Sequence, residues 1–353
     1  MNKKKYAIGV SIFLLSIILT SCTGSGTQVN SWSGAILKDN SMYYVNVGKV
    51  YAFSAENGNI FWAYPEKASA SRVFMATPAL VDEQLIVGDY ANLLTSLNIK
   101  NGNENWQFKS ANGRYIDSPL IVKNMIVAPN TDNHIYALDL SGNLKWKFEA
   151  KHSFWVQPTT DGKVVFAPSM DQNLYALDLT TGKLIWKVDL NASLVARPAL
   201  INGILYIGNL NGDFFAINST NGDIVWQQEM SGGIWSAPIM INKTLFFGDQ
   251  TGNVNIVNSE NGSIIRSIQT GSAVIGSGVI LSDGVVFGNE KGELISFGLN
   301  GEKKWAKTVD GSIYSNLILF EDQIFVIVTK GSKPIIVIDL NGNENKKFSF
   351  SIK

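Results

Sequence analysis

Cys22 is the only thiol in this 353-residue chain, and its setting predicts chemistry at sulfur. One cysteine cannot form an intramolecular disulfide. It follows Leu19-Thr20-Ser21, behind an apolar run over positions 6–19 and the cations Lys3, Lys4 and Lys5. A positive start, a short apolar run and small residues before a cysteine have the pattern of a bacterial lipobox. There a peptidase cuts before the cysteine and its sulfur carries a diacylglycerol. A membrane-spanning helix needs about 20 apolar residues, and this run is shorter. Residues 1–21 are therefore expected to be a lipoprotein signal peptide, and residues 22–31 the lipidated Cys22 with a flexible tether. An ordinary signal peptide or a transmembrane anchor are the alternatives. The polar tether would let the body stand about 15 Å from the bilayer.

Other reactive side chains are sparse. His134 falls in a turn and His152 between repeats, with no second ligand at metal-binding spacing. Asp89, Asp249 and Glu290 occupy matching turns, where solvated carboxylates are expected. The glycines sit at turns and form no phosphate loop. No cofactor and no metal site are expected. Removing the three leader lysines from 29 basic residues leaves 26 against 29 acidic ones, a balance that argues against nucleic acid as a partner. What does recur is an aromatic register. Trp32, Trp155, Trp235 and Tyr314 stand at one repeated position, with Phe74, Tyr115 and Phe154 one place earlier in their repeats. These residues are expected to gather at one rim near a common axis. They either plug an axial channel or form a collar that grips an extended peptide or a sugar.

Positioning such a rim requires a repeated scaffold. Trp62, Trp106, Trp146, Trp186 and Trp226 recur in sequence, and Arg266, Trp305 and Lys346 continue the series. Their spacing is about 40 residues, a period that marks propeller repeats. Pro78, Pro119, Pro158, Pro198 and Pro238 each stand 27 or 28 residues before the tryptophan position. Gly58, Gly102, Gly142, Gly182, Gly222, Gly262, Gly301 and Gly342 keep the same phase. Leu174-Tyr175-Ala176-Leu177-Asp178 alternates with a period of two, Thr181-Gly182 breaks it, and a second strand ends near Trp186. One unit parses into strands at positions 198–201, 204–208, 214–218 and 223–228. Eight such units, each of four short strands, predict an all-β, eight-bladed β-propeller of four-stranded antiparallel blades over positions 32–353. A sheet apolar on both faces must stack on neighbours, and a closed ring leaves no terminal face exposed.

In this pattern the tryptophan should bridge to the adjoining blade through ring and N–H. The Asx after each third strand should cap a turn. Gly88, Ala128, Ala167, Gly208, Gly248 and Gly288 should let inner strands crowd together. Arg266 and Lys346 break the tryptophan rule, through drift or to leave a partner groove. Blade eight holds four strands of its own in this reading, so no swapped N-terminal strand is required.

The phrases Asn173-Leu174-Tyr175-Ala176-Leu177-Asp178 and Thr181-Gly182-Lys183-Leu184-Ile185-Trp186 resemble the quinoprotein-type, or PQQ-like, propeller repeat. There is no Trp-Asp or Gly-His dipeptide of the WD-repeat kind. An eight-bladed ring of this size behind a lipobox resembles the BamB family of outer-membrane β-barrel assembly lipoproteins. The resemblance implies a non-enzymatic scaffold with protein partners, a β-barrel assembly complex among them. It also implies a lipid anchor that holds the ring to the outer membrane, facing the periplasm. In that family a mid-ring loop of apolar residues and an arginine makes the docking contact. The nearest stretch here is Leu190-Asn191-Ala192-Ser193-Leu194-Val195, which departs from that pattern: it has the apolar residues but no arginine until Arg197, beside the strand-opening Pro198. The candidate partner-binding rim is thus Trp32, Phe74, Tyr115, Phe154, Trp155, Leu194, Trp235 and Tyr314. A surface lipoprotein binding glycan or another extracellular ligand is the second reading. A PQQ-dependent dehydrogenase is the third, for which the paired cysteines of many such enzymes are missing.

Overall fold

Short alternating runs separated by turn pairs can satisfy their backbone only by pairing with the next run. The computed structural model describes residues 33–68 and 72–352, and there the chain does this throughout. In the fifth unit the strands are Ala199–Ile201, Ile204–Gly208, Asp213–Asn218 and Ile224–Glu229, within a residue of the sequence reading. Consecutive strands pair antiparallel in simple order. A register shift between the third and fourth strands recurs in the first seven sheets, for example between Ala216 and Ile217. Such an irregularity increases local twist.

Eight sheets result, each confined to its own stretch of chain. Eight apolar clusters lie between them, and seven of these each draw on two successive sheets. The eighth joins Phe325 and Val337 of the last sheet to Tyr44 and Phe53 of the first, which closes the ring. This is the expected all-β, eight-bladed propeller. Short first strands touch one another around the axis, as Ala35–Lys38 touches Ile318–Phe320 across the closure. Fourth strands form the outer edge and alternate exposed with half-buried residues, as in Leu184–Asp189.

Two contacts recur between blades. In the first, an indole N–H donates to a carbonyl of the next blade's turn. Trp62 reaches Ile99, Trp106 Leu140, Trp146 Leu179, Trp186 Ser219, Trp226 Ser259 and Trp305 Leu340, all at 2.8–3.1 Å. Each ring also covers the turn glycine that follows. At Gly182, with φ of +69°, a Cβ would strike the Trp146 ring, so the position needs glycine for both conformation and space. Arg266 replaces this device in kind. Its stem packs on Gly301 and its guanidinium reaches the Asn300 carbonyl at 3.5 Å.

In the second contact, the connectors entering blades two to eight each drive an apolar peg into the previous blade. The small residue ending the second strand is the notch that receives it. A Cβ at Gly88 would overlap Tyr115, one at Gly208 would overlap Ile234, and one at Gly248 would overlap Val274. The peg's backbone N–H bonds a carbonyl just past the notch, as Ile234 does to Asn209 at 2.9 Å. Inner-strand crowding, the expected reason for these small residues, is therefore joined by a more specific one.

The eighth blade differs. Its strands are Ile318–Phe320, Gln323–Ile327 and Ile335–Asp339, and the fourth position is held by a single bridge, Ile338 to Glu344. The chain then turns at positions 346–347 and enters the seam with blade one. Phe350 stacks on Phe53 at 4.2 Å between centroids, and the Ser349 N–H bonds the Asn57 carbonyl at 3.3 Å. At Gly58 the backbone of Ser349 and Phe350 lies where a tryptophan ring covers the turn glycine elsewhere. Closure thus uses the C-terminal segment, with no N-terminal strand swapped into the last blade among the described residues.

Candidate functional site

The connectors leading into the first strands carry the expected rim, and the structure divides it in two. Phe74, Tyr115, Phe154 and Leu194 are at most 1% exposed, because they are the pegs between blades. The expectation that they present surface to a partner is corrected. A residue wholly enclosed by two sheets stabilises their seam, contributing about 1.5–3 kcal/mol. The same correction covers the loop 190–195. Leu190 and Leu194 sit in the apolar cluster shared by blades four and five, and Ala192 and Val195 are buried. Trp155, Trp235 and Tyr314, each one place past its peg, are half-buried. The Tyr314 hydroxyl donates to Glu290 Oε1 at 2.7 Å. Cys22 and Trp32 lie outside the described residues, as do all of positions 1–31, where a signal peptide and tether were expected.

Nearer the axis, the residues just before each proline position are stitched from blade to blade. The Gln157 N–H donates to Asp117 Oδ2 at 2.8 Å, and its side chain donates to the Pro119 carbonyl at 2.8 Å. Ala237 N–H donates to Ser277 Oγ at 3.1 Å, and Ser277 N–H to Asn316 Oδ1 at 2.8 Å. Ser315 Oγ donates to the Ser33 carbonyl across the closure. These bonds make a polar belt around the axis, and two charges occupy it. Asp117 is half-buried. Desolvation raises its pKa above the usual carboxylate value, against bonds from the Gln157 and Ser118 amides and the pull of Arg197. Arg197, one blade beyond Gln157, is exposed; desolvation lowers its pKa and Asp117 opposes that shift. It makes no hydrogen bond or ion pair among the described residues. An exposed guanidinium can hold a carboxylate or a peptide carbonyl.

Asp89 and Asp249, expected as solvated turn carboxylates, are instead fully buried and have structural work. Asp89 and Asp249 each accept two backbone N–H bonds in the turn after the second strand. Asp89 also holds Arg72 at 2.7 Å, whose guanidinium reaches the Tyr64 hydroxyl. His134 Nδ1 lies 2.9 Å from the Asp132 carbonyl. Among the described residues no group of three or more His, Cys, Asp and Glu side chains could hold a metal.

A feature not anticipated lies on the outer edge. Leu184 and Ile185, Ile224 and Val225, and Ile264 and Ile265 are 43–54% exposed at the start of the fourth strands of blades four, five and six. Ile60 and Phe61 repeat the doublet in blade one. The corresponding pairs are Glu104-Asn105 in blade two and Lys303-Lys304 in blade seven. The signal was present in the sequence, as doublets just before the tryptophan position. Period-two reasoning assigns one of each pair inward, whereas at a ring's rim both stay accessible.

A family model described as outer membrane protein assembly factor BamB matches residues 46–155 and 131–347. No match was found among curated proteins. Among solved structures, BamB from Moraxella catarrhalis is similar at a TM-score of 0.74 and 16% identity, over 90% of this chain and 96% of that one. The computationally designed Ika8 protein is similar at 0.75 and 15%, over 89% and 98%. A quinohemoprotein alcohol dehydrogenase, ADHIIG from Pseudomonas putida HK5, is similar at 0.72 and 12%, over 92% and 77%. At these identities the structural likenesses speak for the fold.

Proposed function

We propose, from the premise that this chain belongs to the outer membrane protein assembly factor BamB family, that it is a non-enzymatic scaffold assisting assembly of outer-membrane β-barrel proteins. The observation that carries this is the family match, which runs through nearly the whole ring. In this reading a lipid on Cys22 holds the ring to the periplasmic face of the outer membrane, and its partners are proteins. The half-buried Trp155 and Trp235 with Arg197 supply an axial contact, and the apolar outer doublets of blades four to six supply a lateral one.

The donor set supports a scaffold over a quinoprotein. A calcium ion of the kind that accompanies the quinone takes six to eight oxygen ligands, carboxylates among them. The axial belt offers Asp117 as its carboxylate, with both oxygens already accepting backbone N–H bonds. These residues do not fit such a group.

Deleting the gene and quantifying outer-membrane barrel proteins tests the role. A fall in several unrelated barrels, restored by the wild-type chain but not by Cys22→Ala, is expected. Normal barrel levels, or dye reduction by the purified chain on adding PQQ and calcium, would overturn it.

A further inference from the structure

Seven blades have four strands, and the eighth has three strands with one bridge. In blade seven the fourth strand pairs along nearly all of Glu293–Gly298, from Glu293 with Thr308 to Phe297 with Lys303. In blade eight the equivalent pairing begins with Ile338 and Glu344, gains one bond from the Asn345 N–H to the Val337 carbonyl at 2.8 Å, and stops. Backbone direction alternates along an antiparallel strand. Val337 faces outward to Asn345, while the Pro334 carbonyl faces inward and accepts from the Val328 N–H. Ile335 therefore faces outward too, and no bond to its N–H or carbonyl from that side exists among the described residues. Beside it lies a groove of about 680 Å³, lined by the 328–337 segment, the departing 344–352 segment, and Ser33, Tyr44, Asn46 and Val47 of blade one.

The charge around this edge is lopsided. Lys307, Lys330, Lys333 and Lys346 surround it. The two carboxylates nearby are engaged: Glu344 pairs with Lys333 at 2.7 Å, and Asp310 accepts the Ser332 N–H at 2.9 Å. Lys307, Lys330 and Lys346 form no ion pair among the described residues. Positions 1–32 of the chain contain no Asp or Glu, so that segment does not match the charge.

We propose that an extended, acidic segment of a partner protein adds to the outer edge of Ile335–Asp339 as the fourth strand of blade eight. Main-chain bonds to Ile335 supply the register, and the lysines select acidic side chains. The site is separate from the axial rim, so it stands or falls independently of the barrel-assembly role.

Fluorescence anisotropy with the full chain tests it, using an octapeptide of alternating Glu and Val. The controls are the same pattern with Lys for Glu and an acidic peptide N-methylated at its central amides. The acidic peptide should bind at least roughly tenfold tighter than either control. The double variant K330E/K346E, at two exposed and unpaired positions, should lose roughly tenfold or more while keeping the wild-type melting temperature. Amide exchange at Ile335 should slow when the acidic peptide is bound. No binding, equal binding of acidic and basic peptides, or unchanged exchange at Ile335 would overturn the proposal. So would sedimentation showing that a second copy of the chain holds this edge against the peptide.

Discussion

Replacing Trp146 tests how the ring is held together. The side chain is 8% exposed, its N–H donates to the Leu179 carbonyl at 2.8 Å, and its ring covers Gly182 of the next blade. A tryptophan in such a place buries about 200 Å². At about 25 cal/mol per Å², Trp146→Ala forfeits about 5 kcal/mol, and partial collapse brings the expected cost to about 3–5 kcal/mol. Trp146→Phe keeps most of the ring and loses the N–H, so about 1–2 kcal/mol is expected. Arg266→Ala, at the same repeat position but exposed, with one 3.5 Å bond, should cost under about 1 kcal/mol. Urea unfolding followed by circular dichroism gives the three values, as midpoint shifts at constant slope. If Trp146→Ala cost less than about 1 kcal/mol, or no more than Arg266→Ala, inter-blade bridging by tryptophan would not be what stabilises the ring.

Gly208→Val, which fills the notch that receives Ile234, should destabilise by about 1–3 kcal/mol in the same urea assay, whereas the exposed turn substitution Asn211→Ala should cost less. Phe350→Ala should cost about 3–5 kcal/mol and raise protease cleavage near the seam of blades eight and one; a silent variant would mean that the C-terminal segment does not close the ring. Turn caps predict an acid transition. The Thr181 hydroxyl and amide lower the pKa of Asp178. At Asp139 and Asp339 desolvation pushes upward, but hydrogen bonds, those from Asn143 and Asn343 foremost, together outweigh it and the pKa falls. A carboxylate depressed on folding stabilises above its unfolded pKa of about 4, and that stability disappears as pH falls through the folded value. Melting temperature should therefore drop below about pH 4. The drop should be less steep in D139N/D178N/D339N, since Asn98, Asn218 and Asn258 cap the same turn without titrating.

Much of the architecture was legible because it is written eight times over. A tryptophan and a glycine recurring in phase mark one inter-blade contact, and repetition distinguishes them from chance. The strand limits of the fifth unit came within a residue, because Asn202-Gly203 and Thr220-Asn221-Gly222 leave few other turns. The rim was half legible. Position in the repeat showed that Phe74, Tyr115, Phe154 and Leu194 belong to connectors, but not which way they face. That direction depends on the notch in the previous blade, as Gly88 stands before Tyr115. The axial pair Asp117 and Arg197 was hidden for a similar reason. They belong to blades three and five, and only closure of the ring sets them around one axis. Lys346 could be seen to break the tryptophan rule, while the three-stranded blade behind it could not.

Photo-crosslinking in native membranes addresses the central claim most directly. A photoreactive residue placed at Trp155, or at Ile185 in the outer apolar stripe, would report what touches the ring in the cell envelope. The account predicts adducts with a component of the β-barrel assembly machinery from at least one of these positions, and none from the buried Phe154. Adducts only with envelope polysaccharide, or none at all in membranes where the chain is abundant, would contradict it.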